Sequence, residues 1–435
     1  MSVVGAVICY FIAFLSKESA VTFIVLFPLM AWFVHGQDFK TSLKGTLIML
    51  APLLLFFLIR HQVLNADTIF KSAPPSVADN MLSSAKDPLT KFTGAVAMLG
   101  LYVWKLVLPI NLSFDLSYPQ VTPAKVSDIS FIISAIVLSA MLVSAVMGFR
   151  KRSLLSASLF IFFVTASVSS NIFMLIGTHY GERLMYAPSF GLCLAVSSVL
   201  VSRLGGEKSI GKLSPGLSAI AIVLVGAFSI LTILRNPVWR DNTTLYASGI
   251  VSAPNSARVH YYQGLLLVKP ETIASYPESS RDSVEKAGIY HLKKSVDCMR
   301  AFADAWTQLG VAYYRKKNFK ESLQYYDEAL KYNKYDPVVY NNSGSVYFEM
   351  QNFNEALKRY TEAVRLKPDY ADAYMNMGSC YGVAGQYHQA LVYLEKAVFY
   401  DPKLAQAYYM IGVTWKNKGN EQMANQYFQK RKWRR

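Results

Sequence analysis

Charged side chains are scarce in this sequence of 435 residues. Only 17% of the residues are Asp, Glu, Lys or Arg, whereas 53% are hydrophobic, and soluble domains typically carry about 25% charged residues. Nearly all of the uninterrupted apolar stretches lie before Arg235, and the chain beyond it has the composition of polar helices. The sequence therefore excludes an ordinary soluble two-domain protein and predicts a membrane-embedded part followed by a water-exposed part.

Cysteine is also rare, and its spacing matches no metal or redox motif. The four cysteines form no C-x-x-C pair and no cluster with histidine. The sequence likewise contains no glycine-rich phosphate loop, no nucleophile elbow and no metal-binding helix. We therefore expect no metal site, no disulfide framework, no cofactor and no soluble nucleotide chemistry.

Acidic residues are outnumbered by basic residues, 28 against 44, which gives a formal net charge of +16. In a soluble protein such an excess suggests a nucleic-acid partner. Here the basic residues stand in short clusters between apolar stretches and along the repeats described below, and no motif of a nucleic-acid-binding fold occurs. Loops that flank membrane spans account for these clusters, so we expect no nucleic-acid partner.

Eight apolar stretches approach the ~20 residues that an α-helix needs to cross the hydrocarbon core of a bilayer. They cover residues 2–16, 20–35, 43–61, 92–110, 128–148, 154–176, 184–202 and 215–235. These stretches predict an all-α, polytopic helix bundle of seven or eight spans within residues 1–235. We expect a multi-pass protein of the bacterial inner membrane, or of the endoplasmic reticulum membrane in a eukaryote.

The basic clusters also predict the orientation of the bundle. The loops 150–152 and 203–212 hold the clearest groups of Lys and Arg, which favour the cytoplasmic side. The loops 109–127 and 177–183 then lie outside. Everything after Arg235 lies outside as well, so the C-terminal part is predicted to be extracytoplasmic.

The stretch 92–110 leaves two arrangements open, because it contains Lys105, ends at Pro109 and lies between long polar loops. If it is re-entrant, residues 62–127 form one external loop and Lys17 lies outside. If it crosses the membrane, the earlier loops exchange sides and Lys17 is cytoplasmic. The re-entrant arrangement satisfies the positive-inside bias better.

The C-terminal part repeats itself with a period of 34 residues, which is the spacing of tetratricopeptide helical hairpins. Each unit carries a large residue, a small or apolar residue, a glycine and an aromatic residue at fixed offsets, namely Trp306, Leu309, Gly310 and Tyr313; Tyr340, Ser343, Gly344 and Tyr347; Tyr374, Met377, Gly378 and Tyr381; and Tyr408, Ile411, Gly412 and Trp415. The glycines allow paired helices to approach closely and the aromatic residues fill the space between hairpins. Residues 301–435 are therefore predicted to form a tetratricopeptide α-solenoid.

A degenerate unit precedes these four. It begins near Ala257 with Gly264, carries an insertion at 270–280 and resumes at Gly288. Residues 236–300 are therefore predicted to be a linker and a degenerate repeat.

One column of the repeats is rich in side-chain amides. Gln308, Asn342 and Asn376 are spaced by 34 residues, with Met410 in the fourth unit. Such amides can pair with the backbone of an extended peptide without reading its sequence, so the column is a predicted groove for an acceptor peptide. The alternative is a solvated polar face.

Charged residues at the membrane boundary are costly and therefore mark functional hypotheses. In the loop before the span 184–202, Arg183 can hold a phosphate bidentately, Glu182 can orient it, and His179 can supply a hydrogen bond. The alternative is that Arg183 and Glu182 pair with each other or extend to the interface. Lys17 and Glu18 form a second such group, for which the alternative is a tight polar turn.

Two carboxylates in the external loops are weaker candidates for catalysis. Asp79 and Asp115 could each position a sugar hydroxyl or act as a base. Loop turns use Asp just as readily for capping, so the catalytic residues remain unknown from the sequence.

These residues together resemble a family: the polytopic glycosyltransferases of the GT-C fold that bear tetratricopeptide repeats, whose animal members are transmembrane O-mannosyltransferases. The matching blocks are Ser16-Lys17-Glu18, Ala78-Asp79-Asn80, the stretch 109–118 with Leu112-Ser113-x-Asp115, the stretch 181–191 with Glu182-Arg183-Leu184-x-Tyr186-x-Pro188, and the passage 239–257 into the repeats.

The resemblance implies a sugar donor linked to a polyprenyl or dolichyl phosphate, and transfer of mannose or another hexose to a protein hydroxyl outside the cytoplasm. Arg183 would hold the lipid phosphate, Glu182 and Lys17 would shape the pocket, and the repeats would present the acceptor. The family places a catalytic carboxylate in a first external loop that would precede residue 1. We therefore expect either an N-terminally incomplete product or a non-catalytic relative.

Two functions follow from these observations. The first is a membrane glycosyltransferase that uses a lipid-linked sugar. The second is a membrane-anchored tetratricopeptide scaffold that binds protein partners without chemistry.

Overall fold

The structure is a computed structural model that describes residues 3–63, 75–178, 180–204 and 214–432. His179 and the side chain of Glu18, both predicted to bind the donor, lie outside the described residues. The described part of the chain contains helices and no β-strand, which confirms the predicted all-α class. The chain divides into two compact units, Met1–Val259 and His260–Arg435.

Unit 1 is built from ten helices within the described ranges. They are α1 Val3–Ser16, α2 Phe23–Phe33, α3 Phe39–Thr46, α4 Leu50–Val63, α5 Pro88–Val107, α6 Ile129–Phe149, α7 Leu154–Ser167, α8 Tyr186–Leu204, α9 Pro215–Arg235 and α10 Asn242–Ser252. A short 3₁₀ helix, Glu182–Met185, leads into α8. Helix α11, Ala257–Leu267, begins at the end of this unit.

Four helical stretches are long and apolar enough to cross a bilayer, judged by length and composition: Phe39–Val63, Ile129–Phe149, Glu182–Leu204 and Pro215–Trp239. Shorter apolar helices cover Val4–Ser16, Ser19–Phe33 and Leu154–Ser167. These helices make the chain a membrane protein.

The predicted span 154–176 is too long, because α7 ends at Ser167. The next polar residues bond back to the backbone: Ser169 Oγ donates to the carbonyl of Ala166, and Ser170 Oγ donates to that of Ser167. Such local bonds compete with helical ones, and Asn171 then takes a left-handed φ of 59°. The stretch 168–178 is therefore a loop.

Helix α5, which contains most of the stretch 92–110, packs against α6 and is joined to two loop segments by hydrogen bonds. In its first half, Thr93 Oγ1 donates to the carbonyl of Ala124, in the segment before α6. In its second half, the hydroxyl of Tyr102 accepts from the backbone N–H of Gly181, in the segment before α8. Since α6, α7 and α8 alternate in direction, both segments lie at the same end of these helices.

The opposite end of the bundle is joined by an arginine. The guanidinium of Arg152 stacks 4.0 Å above the ring of Trp32 and donates to the carbonyls of Gly36 and Gln37, at 2.8 and 3.1 Å. Trp32 Nε1 donates in turn to the carbonyl of Phe149, at 3.2 Å. The loop after α2, which leads to Lys40 and Lys44 of α3, and the basic loop after α6 therefore lie together.

Unit 2 consists of helical hairpins. After α11 come α12 Pro270–Ala274, α13 Glu278–Cys298, α14 Ala303–Arg315, α15 Phe319–Tyr332, α16 Pro337–Glu349, α17 Phe353–Leu366, α18 Ala371–Val383, α19 Tyr387–Tyr400, α20 Ala405–Asn417 and α21 Glu421–Lys432. The repeat glycines lie against buried side chains of the second helices: Gly310 against Tyr326, Gly344 against Tyr360 and Gly378 against Leu394. In the degenerate unit, Gly264 of α11 lies against Leu292 of α13.

The repeat glycines give a first prediction. A Cβ at Gly344 would stand 2.6 Å from Cε1 of Tyr360, a ring that is 1% exposed and cannot move aside. We expect Gly344→Ala to lower the free energy of unfolding of the repeats by about 1–3 kcal/mol. The resistance of the repeats to proteolysis during a temperature ramp measures this loss.

Gly382→Ala is the matched control, because its Cβ would meet nothing closer than 3.9 Å. Alanine is favoured over glycine in a helix by up to about 1 kcal/mol, so this variant should be neutral or stabilised. Equal loss in both variants would contradict close packing at Gly344.

The degenerate unit also contains a histidine pair. Nδ1 of His260 lies 3.0 Å from Nδ1 of His291, and the two rings stack with centroids 5.2 Å apart. Such a bond requires a hydrogen on one Nδ1 and a lone pair on the other. Burial, and then the neighbouring His260, lower the pKa of His291 to about 4.

This pair predicts a pH dependence of stability. The folded state favours neutral His291, whereas an unfolded histidine titrates near 6.5. The stabilisation is therefore complete above about pH 6.5 and is lost as the pH falls towards 4, by at most about 3 kcal/mol. Unfolding of unit 2 within the chain, measured between pH 7.5 and 4, should show this slope. His291→Phe should flatten it, whereas His388→Phe, at an exposed position, should not.

Candidate functional site

Four of the five sequence blocks that carried the resemblance, all except Ser16-Lys17-Glu18, meet at one end of unit 1. The centre is the junction of α5 with the loop before α8. The backbone N–H of Gly181 donates to Tyr102 Oη at 2.8 Å, and the rings of Tyr102 and Tyr180 stack with centroids 5.1 Å apart and planes inclined by 4°. This stacking fixes the backbone immediately before Glu182.

Lys105, near the end of α5, holds the following loop. Its ammonium donates to the carbonyl of Ile110 at 2.7 Å and to that of Asn111 at 3.1 Å. Asn111 has a left-handed φ of 49°, a conformation that asparagine tolerates better than most residues. The loop is thereby turned back towards Glu182, whose carboxylate it approaches with the backbone N–H of Ser113.

Glu182 forms an ion pair with the last residue of α9. Its Oε2 lies 3.9 Å from Nη2 of Arg235, and both side chains are 20% exposed. Arg235 also donates from Nη1 to Ser248 Oγ at 3.1 Å, and Lys105 lies within electrostatic range of the carboxylate. We call Lys105, Glu182 and Arg235 the Glu182 cluster.

Arg183, which directly follows Glu182, is not part of this cluster. Its side chain is exposed, and it makes no hydrogen bond or ion pair with any residue that the structure describes. The alternative in which Glu182 and Arg183 pair with each other is therefore wrong. Two cations, Lys105 and Arg235, neutralise Glu182, while Arg183 remains available to a ligand.

An apolar groove lies beside the Glu182 cluster. It has a volume of about 900 Å³, and α5, α8 and α9 line it. Its lining includes Leu106 and Ile233, which stand next to Lys105 and close to Arg235 in the chain. Helices α8 and α9 are both long and apolar enough to cross a bilayer, so the groove is accessible to a hydrocarbon chain.

Asp115 is buried and its carboxylate is occupied. Oδ2 accepts from the backbone N–H of Ser117 at 3.2 Å and from Ser256 Oγ at 3.0 Å. The hydroxyls of Ser117 and Ser256 lie 2.8 Å apart. Asp115 thus fastens the loop after α5 to the segment before α11.

Asp79 is more accessible. Its side chain is 48% exposed and lies 3.6 Å from Nη1 of Arg258, and it accepts from Ser76 Oγ at 2.7 Å. The neighbouring Asn80 is fully buried and donates to Asn171 Oδ1 at 2.8 Å. This turn is therefore anchored to the loop after α7.

Lys17 directly follows α1 and has an exposed side chain, and no ion pair joins it to Glu182 among the described residues. The structure does not bring it into the Glu182 cluster. Among all the residues that the structure describes, no group of three or more His, Cys, Asp or Glu side chains could hold a metal ion.

The predicted peptide groove lies on the first helices of three repeats. Gln308, Asn342 and Asn376 are each partly buried on α14, α16 and α18. Asn376 Nδ2 donates to Oδ1 of Asn341 at 2.9 Å, so one of its amide groups already joins two repeats. Gln308 and Asn342 keep polar side chains at the surface.

Sequence reasoning missed Arg235 and Tyr102 as site residues. Arg235 ends an apolar run of twenty residues, and a charge in that position needs a partner or an interface. That signal was present in the sequence. No local pattern marks Tyr102, whose role depends on a loop that follows two further helices.

Comparison with known proteins identifies tetratricopeptide repeats in the C-terminal part of the chain. Tetratricopeptide repeat families match residues 303–336, 344–382 and 371–404, which confirms the predicted repeats. Among solved structures, YrrB, a TPR protein with an unusual peptide-binding site, is 23% identical with a TM-score of 0.32, over 43% of this chain and 90% of that one. Pseudomonas aeruginosa PilF is 16% identical with a TM-score of 0.36, over 46% of this chain and 86% of that one.

Curated relatives share one name. Mouse protein O-mannosyl-transferase TMTC1 is 29% identical over 243 residues, 54% of this chain and 24% of the relative. Human protein O-mannosyl-transferase TMTC4 is 28% identical over 207 residues, 45% of this chain and 27% of the relative. Caenorhabditis elegans protein O-mannosyl-transferase F38B6.6 is 25% identical over 172 residues, 38% of this chain and 24% of the relative.

The matched regions cover about a quarter of the length of these three relatives. They confirm the resemblance that the sequence blocks indicated. The chain is a tetratricopeptide-bearing membrane protein that is similar to the protein O-mannosyl-transferases.

Proposed function

We propose that this chain acts as a membrane glycosyltransferase that takes a hexose, mannose by similarity, from a polyprenyl or dolichyl phosphate. The bond from the sugar C1 to the phosphate oxygen breaks, and a bond from C1 to a Ser or Thr oxygen of a protein acceptor forms. The hydroxyl proton passes to a base and the lipid phosphate leaves. The repeats, with Gln308, Asn342 and Asn376, hold the acceptor segment.

One observation carries this proposal: an exposed arginine without a partner among the described residues directly follows Glu182, and an apolar groove is lined by residues that neighbour Lys105 and Arg235 in the chain. A lipid phosphate presents both an anion and a hydrocarbon chain, and it requires both kinds of surface side by side. A guanidinium holds phosphate bidentately, so Arg183 is its ligand, and the groove between α8 and α9 takes the first part of the lipid.

The orientation of the bundle supports an extracytoplasmic site. Lys40 and Lys44 of α3 and the basic residues 150–152 lie at the end opposite to the Glu182 cluster, where Arg152 contacts Trp32 and Gly36, as expected for the cytoplasmic side. The hydrogen bonds of α5 to loop segments, made through Thr93 and Tyr102, both lie at the end of the Glu182 cluster, and we propose that α5 lies within an external loop 62–127 and does not cross the membrane.

The second candidate is a scaffold without catalysis. Tetratricopeptide repeats bind proteins in many settings, and the carboxylate of Asp115 is already used in holding the chain together. Of the two predicted carboxylates, only Asp79 stays accessible to a substrate. Lys17 keeps its predicted role in the pocket only if a ligand reaches it, since no contact links it to the cluster.

The test compares sugar transfer by the full reading frame and by Arg183→Ala, with a polyprenyl-phosphate hexose and a peptide rich in Ser and Thr. A charge-assisted hydrogen bond contributes about 1.5–3 kcal/mol, so we expect transfer to fall about 10- to 100-fold. Arg183→Lys should recover part of it. Arg203→Ala, at an exposed position at the other end of α8, should leave transfer unchanged.

Transfer that persists in Arg183→Ala would remove Arg183 from donor binding. Absence of transfer from the wild type with every donor, together with peptide binding by the repeats, would favour the scaffold.

Asp115 gives a separate prediction, because its hydrogen bonds indicate a positioning role. Asp115→Asn and Ser256→Ala should each lower the free energy of unfolding of unit 1 by about 1–3 kcal/mol, and the double variant should lose less than the sum, because both residues belong to one network. Ser83→Ala is the control, since the buried Ser83 hydroxyl has no hydrogen-bond partner among the described residues.

The activity of these variants separates the two roles of Asp115. A positioning role predicts similar decreases in transfer for Asp115→Asn and Ser256→Ala. Abolished transfer in Asp115→Asn alone, with Ser256→Ala active, would make Asp115 the base.

A further inference from the structure

Three buried polar atoms without a hydrogen-bond partner occur in one small region of unit 1. They are Oη of Tyr180, Oε1 of Glu182 and Nε of Arg235, and none is bonded to any residue that the structure describes. Tyr180 is 2% exposed, and it lies within electrostatic range of both Glu182 and Arg235. The region therefore holds three unsatisfied groups within electrostatic range of one another.

The presence of three unpaired polar atoms in one small region requires a physical explanation. A buried polar atom without a partner costs about 1–3 kcal/mol, and most such atoms in folded proteins are paired. The adjacent ring shows that pairing is available locally, because the hydroxyl of Tyr102 is bonded to Gly181. Tyr180, in the same stack, leaves its hydroxyl unused, as expected for a group that meets a ligand.

The chemistry of the three atoms specifies the ligand. The Nε–H of Arg235 can only donate, Oε1 of ionised Glu182 can only accept, and the hydroxyl of Tyr180 can do either. A group that both donates and accepts satisfies such a set, and an alcohol hydroxyl is the simplest such group. A phosphate fits poorly, because it offers no hydrogen to Glu182 and repels its charge.

The three groups are also held in place before any ligand arrives. The ring of Tyr180 is stacked on Tyr102, and the ion pair with Glu182 and the bond to Ser248 fix Arg235. Fixed donors and acceptors lose little conformational entropy on binding, which makes them effective in discriminating between ligands.

We propose that Tyr180, Glu182 and Arg235 bind one ring hydroxyl of the hexose carried by the lipid donor and thereby determine which hexose is accepted. The inference rests on the proposed function, and it changes one expectation from the sequence. Glu182 binds a hydroxyl of the sugar, and Arg183, on the exposed side of the same 3₁₀ turn, binds the lipid phosphate.

The experiment uses the full reading frame in lipid nanodiscs and the hexosyl polyprenyl phosphate that the wild type transfers best. A series of donors lacks one ring hydroxyl at a time, and kcat/KM is measured for each with wild type and Tyr180→Phe. The substitution keeps the ring and its stacking. One deoxy donor should be penalised about tenfold or more by the wild type, and Tyr180→Phe should reduce that penalty by about tenfold.

Two further variants complete the design. Glu182→Gln, which replaces an acceptor by a group that also donates, should reduce the penalty for the same deoxy donor. Tyr10→Phe, at a buried tyrosine packed against Phe14 and Phe27, is the control and should leave every penalty unchanged.

The outcomes separate the inference from the function on which it rests. Absence of transfer from every donor by the wild type would overturn the proposed function, and the inference with it. Transfer by the wild type with equal decreases for all donors in Tyr180→Phe would show a purely structural tyrosine occupied by water, and would overturn the inference alone.

Discussion

A carboxylate at the end of an apolar helix bundle must be neutralised, and the ion pair of Glu182 with Arg235 does this. The cost of placing a charge near hydrocarbon is high, and it falls when an opposite charge and backbone donors stand close. Arg235 ends α9, Lys105 ends α5, and Glu182 begins the turn into α8. The ion pair and the nearby Lys105 therefore require the C-terminal ends of α5 and α9 and the N-terminal end of α8 to lie at the same level of unit 1.

The loops at that end of unit 1 are held by hydrogen bonds that support the ion pair of Glu182 with Arg235. Lys105 reaches its position by binding two loop carbonyls, and that loop is fastened by Asp115 to Ser256. Tyr102 holds Gly181, and Asn80 holds the loop after α7. Apart from the bonds of Lys105 to the loop that follows it, these contacts link segments that are distant in the chain, so the polar residues of the loops act mainly to fix the backbone. Arg183 on the outside, and Tyr180 Oη, Glu182 Oε1 and Arg235 Nε on the inside, remain for a ligand.

Much of this architecture was predictable from the sequence, and the exceptions have identifiable causes. The repeats followed from the period of 34 residues, since each glycine and aromatic residue has the same neighbours in every unit. The ion pair of Glu182 with Arg235 was not predictable from the sequence. Adjacent residues in a 3₁₀ turn point about 120° apart, so Arg183 does not lie on the side of the turn where the carboxylate of Glu182 meets Arg235. Asp115 looked like a loop carboxylate open to catalysis, and its bond to Ser256, 141 residues away, lies beyond any local pattern.

The contact between Arg152 and Trp32 constrains the order in which the chain can assemble. The carbonyls that Arg152 binds lie 116 and 115 residues earlier in the chain. The loop after α2 therefore cannot make this contact until α6 and Arg152 have been synthesised. During that interval the aromatic face of Trp32 lacks its cation. The basic end of the bundle is therefore complete only after α6 has been inserted. A ribosome stalled before residue 152 would leave α2 and the loop after it without this contact.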